Sequence, residues 1–274
     1  MSQDQITIIE PKRFLSSLDL GDLWRHRELL YFMIWRDVKI RYKQASFGIA
    51  WAVLQPVLTT AIFTVIFSSV ARFDTVDVPY PLFALSGVMI WLFVHTSVSM
   101  ASNSFVSNTN LVTKIYFPRL ILPLAATVAA LSDLLFSVLI LGLMMVYFAV
   151  APSSQILLAP VALLMTLVLA ASLGTLFSAL NVRFRDVKFA LPFLLQVWMI
   201  ASPIFYPSSL LPEKWRLVYA INPMVGILDL FRSAVFGTSI DWQLIGISSI
   251  SIVVITVLSL AVFRWMEDDF ADIV

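Results

Sequence analysis

The sequence predicts an all-α membrane protein of about six transmembrane helices, with an N-terminal interfacial helix and a re-entrant helical segment before the last span. Composition is the first reason: 60% of the 274 residues are hydrophobic and 13% are charged, whereas a soluble domain is about 45–50% apolar and about 25% charged. The second is where the charges fall. No Asp, Glu, Lys or Arg occurs between Lys43 and Arg72, Asp77 and Lys114, Asp133 and Arg183, Lys188 and Glu213, or Asp241 and Arg264. Each interval can hold a helix of the roughly 20 apolar residues that cross a hydrocarbon core. Long apolar runs containing Pro and Gly do not fit the alternating strands of an outer-membrane barrel.

The spans expected are 48–70, 81–102, 120–149, 157–180, 189–206 and 243–263. The long interval from Asp133 to Arg183 is divided by Ala151-Pro152-Ser153-Ser154-Gln155, which reads as a turn. The domain boundaries that follow are a cytoplasmic N-terminus over 1–47, a transmembrane domain over 48–264 and a tail over 265–274. Residues 1–20 carry Asp4, Glu10, Lys12, Arg13 and Asp19 and no apolar stretch, unlike a signal peptide. Cysteine is absent, so there is neither a disulfide framework nor a thiolate metal site. His26 and His95 fall on opposite sides of the first span, and no metal site is expected.

Two segments are neither span nor simple loop. Residues 22–43 mix bulky aromatics with eight charges between Arg25 and Lys43, too many for a crossing. As an interfacial helix, Trp24, Leu29, Leu30, Phe32, Met33 and Ile34 would face acyl chains while Arg36, Lys39, Arg41 and Lys43 reach head groups; the alternative is a positive anchor before the first span. Residues 207–242 are apolar in patches but broken by Pro207, Pro212, Pro223, Gly226 and Gly237. Two crossings would need about 40 residues or more. The segment is therefore read as short helices dipping in from the outer face, or as an amphipathic hairpin lying on it, because irregular backbone survives at membrane depth only against protein or a cavity.

Asp133 is the one acidic or basic residue of the Asp, Glu, Lys and Arg set inside a span. It is either a functional site or a hydrogen-bonding group between helices, beside Ser132 and Ser137. Coupled transporters generally need several such groups. The sequence has no Gly-x-Ser-x-Gly nucleophile motif and no Walker phosphate loop. Any uphill transport must then draw its energy from another subunit. For a membrane-embedded glycan-modifying enzyme, the scattered Asp74, Asp77, Glu213 and Asp229 are weak acid/base candidates. Many aromatics fall at span ends, where a lipid-interface belt would place them. A subset, Trp91, Phe93, Trp198, Phe205 and Tyr206, could instead line a channel, where flat rings stack on sugars.

Several ordered blocks resemble the permease subunits of ABC-2-type exporters of O-antigen, capsule and related polysaccharides. They are Arg27-Glu28-Leu29-Leu30-Tyr31-Phe32 with Trp35-Arg36-Asp37-Val38-Lys39-Ile40-Arg41-Tyr42-Lys43, Gly48-Ile49-Ala50-Trp51 with Gln55-Pro56, Lys114-Ile115-Tyr116-Phe117-Pro118-Arg119-Leu120, Asn181-Val182-Arg183-Phe184-Arg185-Asp186-Val187, Ser202-Pro203-Ile204-Phe205-Tyr206-Pro207 and Asn222-Pro223-Met224. The resemblance implies a homodimer of permeases in the bacterial inner membrane, bound to two cytoplasmic ATPase subunits and passing a lipid-linked polysaccharide, O-antigen above all, outward. It implies no cofactor in this chain, with ATP and Mg held by the ATPase, and no nucleic-acid partner. Related ABC-2 exporters of drugs or teichoic-acid-like polymers are the alternative. By position, Asn110 to Arg119, with Lys114, Tyr116, Phe117, Pro118 and Arg119, resembles the helix that docks on the ATPase. Arg25 to Lys43, with Arg27, Glu28, Trp35, Arg36, Asp37 and Arg41, resembles the interface helix, and 208–236 the external gate helices.

Orientation follows from the cations. Segments 1–47, 103–119, 181–188 and 264–274 hold fourteen of the eighteen Lys and Arg, while Arg72, Lys214, Arg216 and Arg232 lie in the others. The positive-inside rule puts the first set, and both termini, in the cytoplasm. Cysteines introduced at Ser154 and Ser208 are expected to react with an impermeant reagent added outside intact cells, and one at Ser107 is not. Outside labelling at Ser107 contradicts the orientation.

Overall fold

The computed structural model describes residues 20–43, 48, 50–70, 78–210, 212–267 and 270. Arg72, Asp74, Asp77, residues 1–19 and most of the C-terminal tail lie outside the described residues. The α-helices run in the order α1 Leu20–Arg25, α2 Arg27–Lys43, α3 Ala50–Val70, α4 Tyr80–Ser102, α5 Thr109–Lys114, α6 Ile121–Ala129, α7 Leu131–Tyr147, α8 Ala159–Arg183, α9 Val187–Ile200, α10 Glu213–Tyr219, α11 Pro223–Phe236 and α12 Trp242–Glu267. No strand occurs among the described residues. Five stretches are long and apolar enough to cross a membrane: α3, α4, α6 with α7, α8 with the short turn before it, and α12. The fifth crossing expected from the sequence, over 189–206, is a shorter apolar helix: α9 ends at Ile200 and the chain continues irregularly to Pro207.

The helix α4 is apolar on every side, and such a helix belongs in an interior. Of its crossing stretch 78% is buried, against 11% for α3, so the other helices pack around α4 while α3 lies at the periphery. The most extensive contact is between α4 and α8, followed by α8 with α12. Lipid offers no hydrophobic drive between helices, so small residues and hydroxyls hold them together. Asn181 Nδ2 donates to the Ser102 carbonyl at 2.8 Å, tying the ends of α8 and α4. Between α8 and α12, Ser172 and Thr256 hydroxyls lie 2.8 Å apart and Ser259 Oγ donates to the Ser172 carbonyl.

Two apolar clusters separate the ends of the molecule. The larger fills the helix bundle around α4. The smaller gathers Met33 of α2, Phe105 to Ala125, Ala179 and Val182 of α8, and Phe263, Met266 and Phe270. The positively charged segments therefore share one end. At the other, Ser153 N donates to the Val235 carbonyl at 3.1 Å, joining the turn after α7 to the end of α11.

The segment between α9 and α12 is a helical hairpin. Its two arms, α10 and α11, meet at Asn222, and both open toward the Ser153 end: Arg216 and Asp241 form an ion pair at 3.2 Å, and Ser208 Oγ donates to Asp229 at 3.4 Å. With 14 residues, α11 is about 21 Å long at 1.5 Å per residue. Close packing on α12 fixes it there. Gly226 N donates to Ser248 Oγ at 3.0 Å, and that hydroxyl donates to the Ala220 carbonyl at 2.8 Å. A Cβ at Gly226 would fall 2.5 Å from Ser248 Cβ, whereas one at Gly142 meets nothing within 4 Å. Gly226→Ala is expected to cost about 1–3 kcal/mol of stability through overpacking, read as a lower melting temperature of the detergent-solubilised protein. Gly142→Ala serves as the control, and equal melting of the two variants contradicts this packing.

Candidate functional site

Ending α9 at Ile200 starts an irregular stretch whose backbone carbonyls have no helical partners, and each is costly if left an orphan in the interior. Arg232 of α11 reaches two of them. Its Nη1 donates to the Pro203 carbonyl and its Nη2 to the Ile204 carbonyl, each at 2.7 Å, while Nε donates to Ser86 Oγ at 3.2 Å. The guanidinium also lies 3.6 Å from the centre of the Phe83 ring. A planar fork of fixed donors suits several carbonyls at once, as a lysine ammonium would not. Gly87 is what admits the fork: a Cβ there would lie 2.5 Å from the Ile204 oxygen and 2.7 Å from Arg232 Nη2.

Asn222 pins the hairpin tip to the same interruption. Its Oδ1 accepts from Trp198 Nε1 at 2.9 Å and from Met224 N at 3.1 Å; its Nδ2 donates to Ser202 Oγ at 3.0 Å and to the Ala201 carbonyl at 3.2 Å. All four capacities of the amide are used. As the residue before Pro223 it is also the N-cap of α11, a pairing that favours helix initiation.

The aromatic set of the sequence analysis is largely drawn together here. Trp91 and Trp198 meet edge to face with ring centres 5.4 Å apart. Phe205 stacks on Phe63 of α3 at 3.4 Å, and its carbonyl accepts from Tyr80 OH at 2.9 Å. Tyr206 OH donates to the Ile200 carbonyl and lies 3.0 Å from Tyr219 OH. Phe93, two residues beyond Trp91 and so about 200° around the helix, packs elsewhere in the core. Trp91, Phe93 and Phe205 are 3%, 1% and 6% exposed; of the five, Trp198 and Tyr206 keep partly open faces. Outside the hairpin a cleft of about 450 Å³ is lined by Arg216, Asp229, Asp241 and Trp242.

At the other end, α5 and the turn after it present Ile115 and Tyr116, 56% and 86% exposed, with Lys114 exposed beside them. Phe117 is buried in the smaller cluster, Pro118 is half-buried, and Arg119 lies over the Phe270 ring at 5.8 Å. The projecting turn is thus anchored from below by Phe117.

The face of α2 assigned to acyl chains needs correcting. Leu29, Leu30, Met33 and Ile34 pack into the smaller cluster, because α2 lies against α6; the exposed rings are Trp24, Tyr31, Phe32 and Trp35. Arg27 lies over Trp24 and Lys39 over Trp35, and Glu28 is exposed. Arg36 pairs with Asp37 at 2.8 Å and donates to Asn108 Oδ1 at 2.7 Å, joining α2 to the turn before α5. Asp133 is held by α2 as well: Arg41 forms its ion pair and Tyr42 OH donates to it, with Ser132 Oγ 3.0 Å from the same hydroxyl. Sequence reasoning found Asp133 but not these partners, nor Arg232, Gly87 or the double role of Asn222.

Comparison with known proteins follows the same boundaries. The sequence model of the family described as ABC-2 type transporter matches residues 28–236, from α2 to the end of α11. The O-antigen export system permease protein RfbA of Myxococcus xanthus is 26% identical over 255 residues, covering 92% of this chain and 97% of that one. A protein of the same name from Klebsiella pneumoniae is 27% identical over 248 residues, 90% of this chain and 95% of the relative. The polysialic acid transport protein KpsM of Escherichia coli is 26% identical over 207 residues, 73% and 78% of the two chains.

Replacing Arg232 by Met keeps much of the volume and leaves two carbonyls unpaired. At about 1–3 kcal/mol for each buried group left unsatisfied, Arg232→Met is expected to lower the melting temperature and to expose the hairpin to limited proteolysis. Arg232→Lys is expected to recover only part of the loss. Wild-type melting in Arg232→Met contradicts this account of the interruption.

Proposed function

The chain belongs to the ABC-2 type transporter family, and on that premise we propose that it is the membrane permease of an ATP-driven exporter carrying a lipid-linked polysaccharide, O-antigen in the first instance, across a bacterial inner membrane. The observation that carries this reading is likeness over nearly the whole length of both chains to permeases named for O-antigen export. A further relative named for polysialic acid transport agrees in the class of cargo. ATP, with Mg, is bound and hydrolysed by a separate ATPase, since these 274 residues hold no Walker loop. Two copies of the permease and two of the ATPase make the complete exporter, with both permease termini in the cytoplasm. The gathering of the Lys- and Arg-rich segments at one end supports that orientation.

The projecting turn at Ile115 and Tyr116 is the contact for the ATPase. Closure there pushes on Phe117 and, through Asn108 and Arg36, on α2; Arg41 and Tyr42 carry the movement to Asp133 of α7. Toward the outer end, α3 covers Phe205 through the Phe63 stack and is otherwise little buried. Its displacement would uncover rings on which sugars slide, each contact strong enough to enter and weak enough to leave.

In a strain lacking its own O-antigen permease, this chain expressed with its ATPase is expected to restore surface polysaccharide. Changed resistance to hydrophobic toxins without surface polymer would instead indicate a drug exporter. Tyr116→Ala combined with Lys114→Glu is expected to reduce both co-purification of the ATPase and surface polymer, while insertion is unchanged. Normal export in that variant contradicts the docking assignment.

A further inference from the structure

A cleft of about 750 Å³ opens at the Lys- and Arg-rich end between α2, α3, α4 and α6. It lies within the roughly 300–1,000 Å³ typical of small-ligand sites. Two arginines, Arg36 and Arg41, line it, which at first suggests an anion. Both are already neutralised, Arg36 by Asp37 at 2.8 Å and Arg41 by Asp133. The cleft also receives the C-terminal end of α4, capped at Asn103, where the helix dipole is negative and repels anions. Electrostatics therefore disfavour a phosphate as its occupant.

Apart from His95 and the apolar Ile40, Met100 and Ala126, what remains is a set of uncharged hydrogen-bonding groups: Gln55, Thr96, Ser99, Asn103, Ser104 and Ser107 line the cleft. Ser104, at the wall of the cleft, is 4% exposed, and its Oγ has no hydrogen-bond partner among the described residues. Amides and hydroxyls both donate and accept, which matches the vicinal hydroxyls of a sugar ring. The cleft borders α3, whose crossing stretch is only 11% buried, so a glycan could enter it while its lipid stays in the bilayer alongside.

We propose that this cleft holds a neutral sugar residue of the exported glycan at the cytoplasmic end of its route, through amide and hydroxyl groups rather than through charge. The proposal rests on the polysaccharide reading above and adds to it where, and by what chemistry, the glycan is first gripped.

The test uses the purified permease–ATPase complex and the delipidated glycan of the strain that supplies it, with binding measured by titration. Gln55→Leu, Thr96→Val and Ser104→Ala together are expected to weaken binding by about tenfold or more, the loss of a few hydrogen bonds. Inorganic pyrophosphate is expected not to compete. Each single variant is measured as well, so that a folding defect in the triple variant, seen as lost co-purification of the ATPase, does not decide the result. Wild-type affinity in all variants overturns the site, and competition by pyrophosphate overturns its neutral character. A wild-type complex that restores no surface polymer removes the polysaccharide reading itself, and this site with it.

Discussion

The irregular chain that follows α9 must have its open carbonyls answered, and one buried guanidinium answers two of them, at Pro203 and Ile204, while Ser202 and Tyr206 answer those of the helix end itself. Arg232 closes on Pro203, Ile204 and Ser86, and among the described residues no carboxylate is in ion-pair contact with it, so its charge is held by carbonyl dipoles, the face of Phe83 and, at longer range, Asp229. Much of this half of the bundle depends on that bond set. It holds α11 against α4, and α11 carries Asn222, which in turn fixes Trp198 and the end of α9. The cleft formed by Arg216, Asp229 and Asp241 exists because the hairpin is seated at this depth.

The Lys- and Arg-rich half solves a related problem with opposite charge. Asp133 lies 12 residues beyond the start of α6, about 18 Å along a helix, where a lone carboxylate costs about 2.5–3.5 kcal/mol. Arg41 and Tyr42 supply its partners from α2. The same helix is tied through Arg36 to Asn108, beside the projecting turn at Ile115 and Tyr116. A helix held at one end by that turn and at the other by a span can transmit movement between them, because neither attachment is through lipid.

The helical class, the separate helix α2 and the short helices before the last span were legible in the sequence, since each follows from the length of an apolar run and the charges that bound it. Asn222-Pro223 is legible as a helix start. The interruption after Ile200 was not: apolar residues continue to Phe205, and hydropathy does not register the Arg232 fork that makes a break tolerable. Arg232 itself entered only as one cation among four on the outer side. The lipid-facing side of α2 was misassigned because its apolar residues surround the helix, and only packing on α6 decides which of them are covered. Burial of Trp91, Phe93 and Phe205 likewise comes from tertiary contacts with no local signature.

The central claim, that this permease moves polysaccharide when a partner hydrolyses ATP, is tested most directly in inverted membrane vesicles containing the complete complex and lipid-linked glycan on their outer face. Addition of ATP is expected to transfer the glycan to the lumen, where it becomes protected from an added glycosidase, and withholding ATP or the ATPase subunit is expected to abolish protection. Glycan that stays fully digestible with ATP and both subunits present would contradict the account.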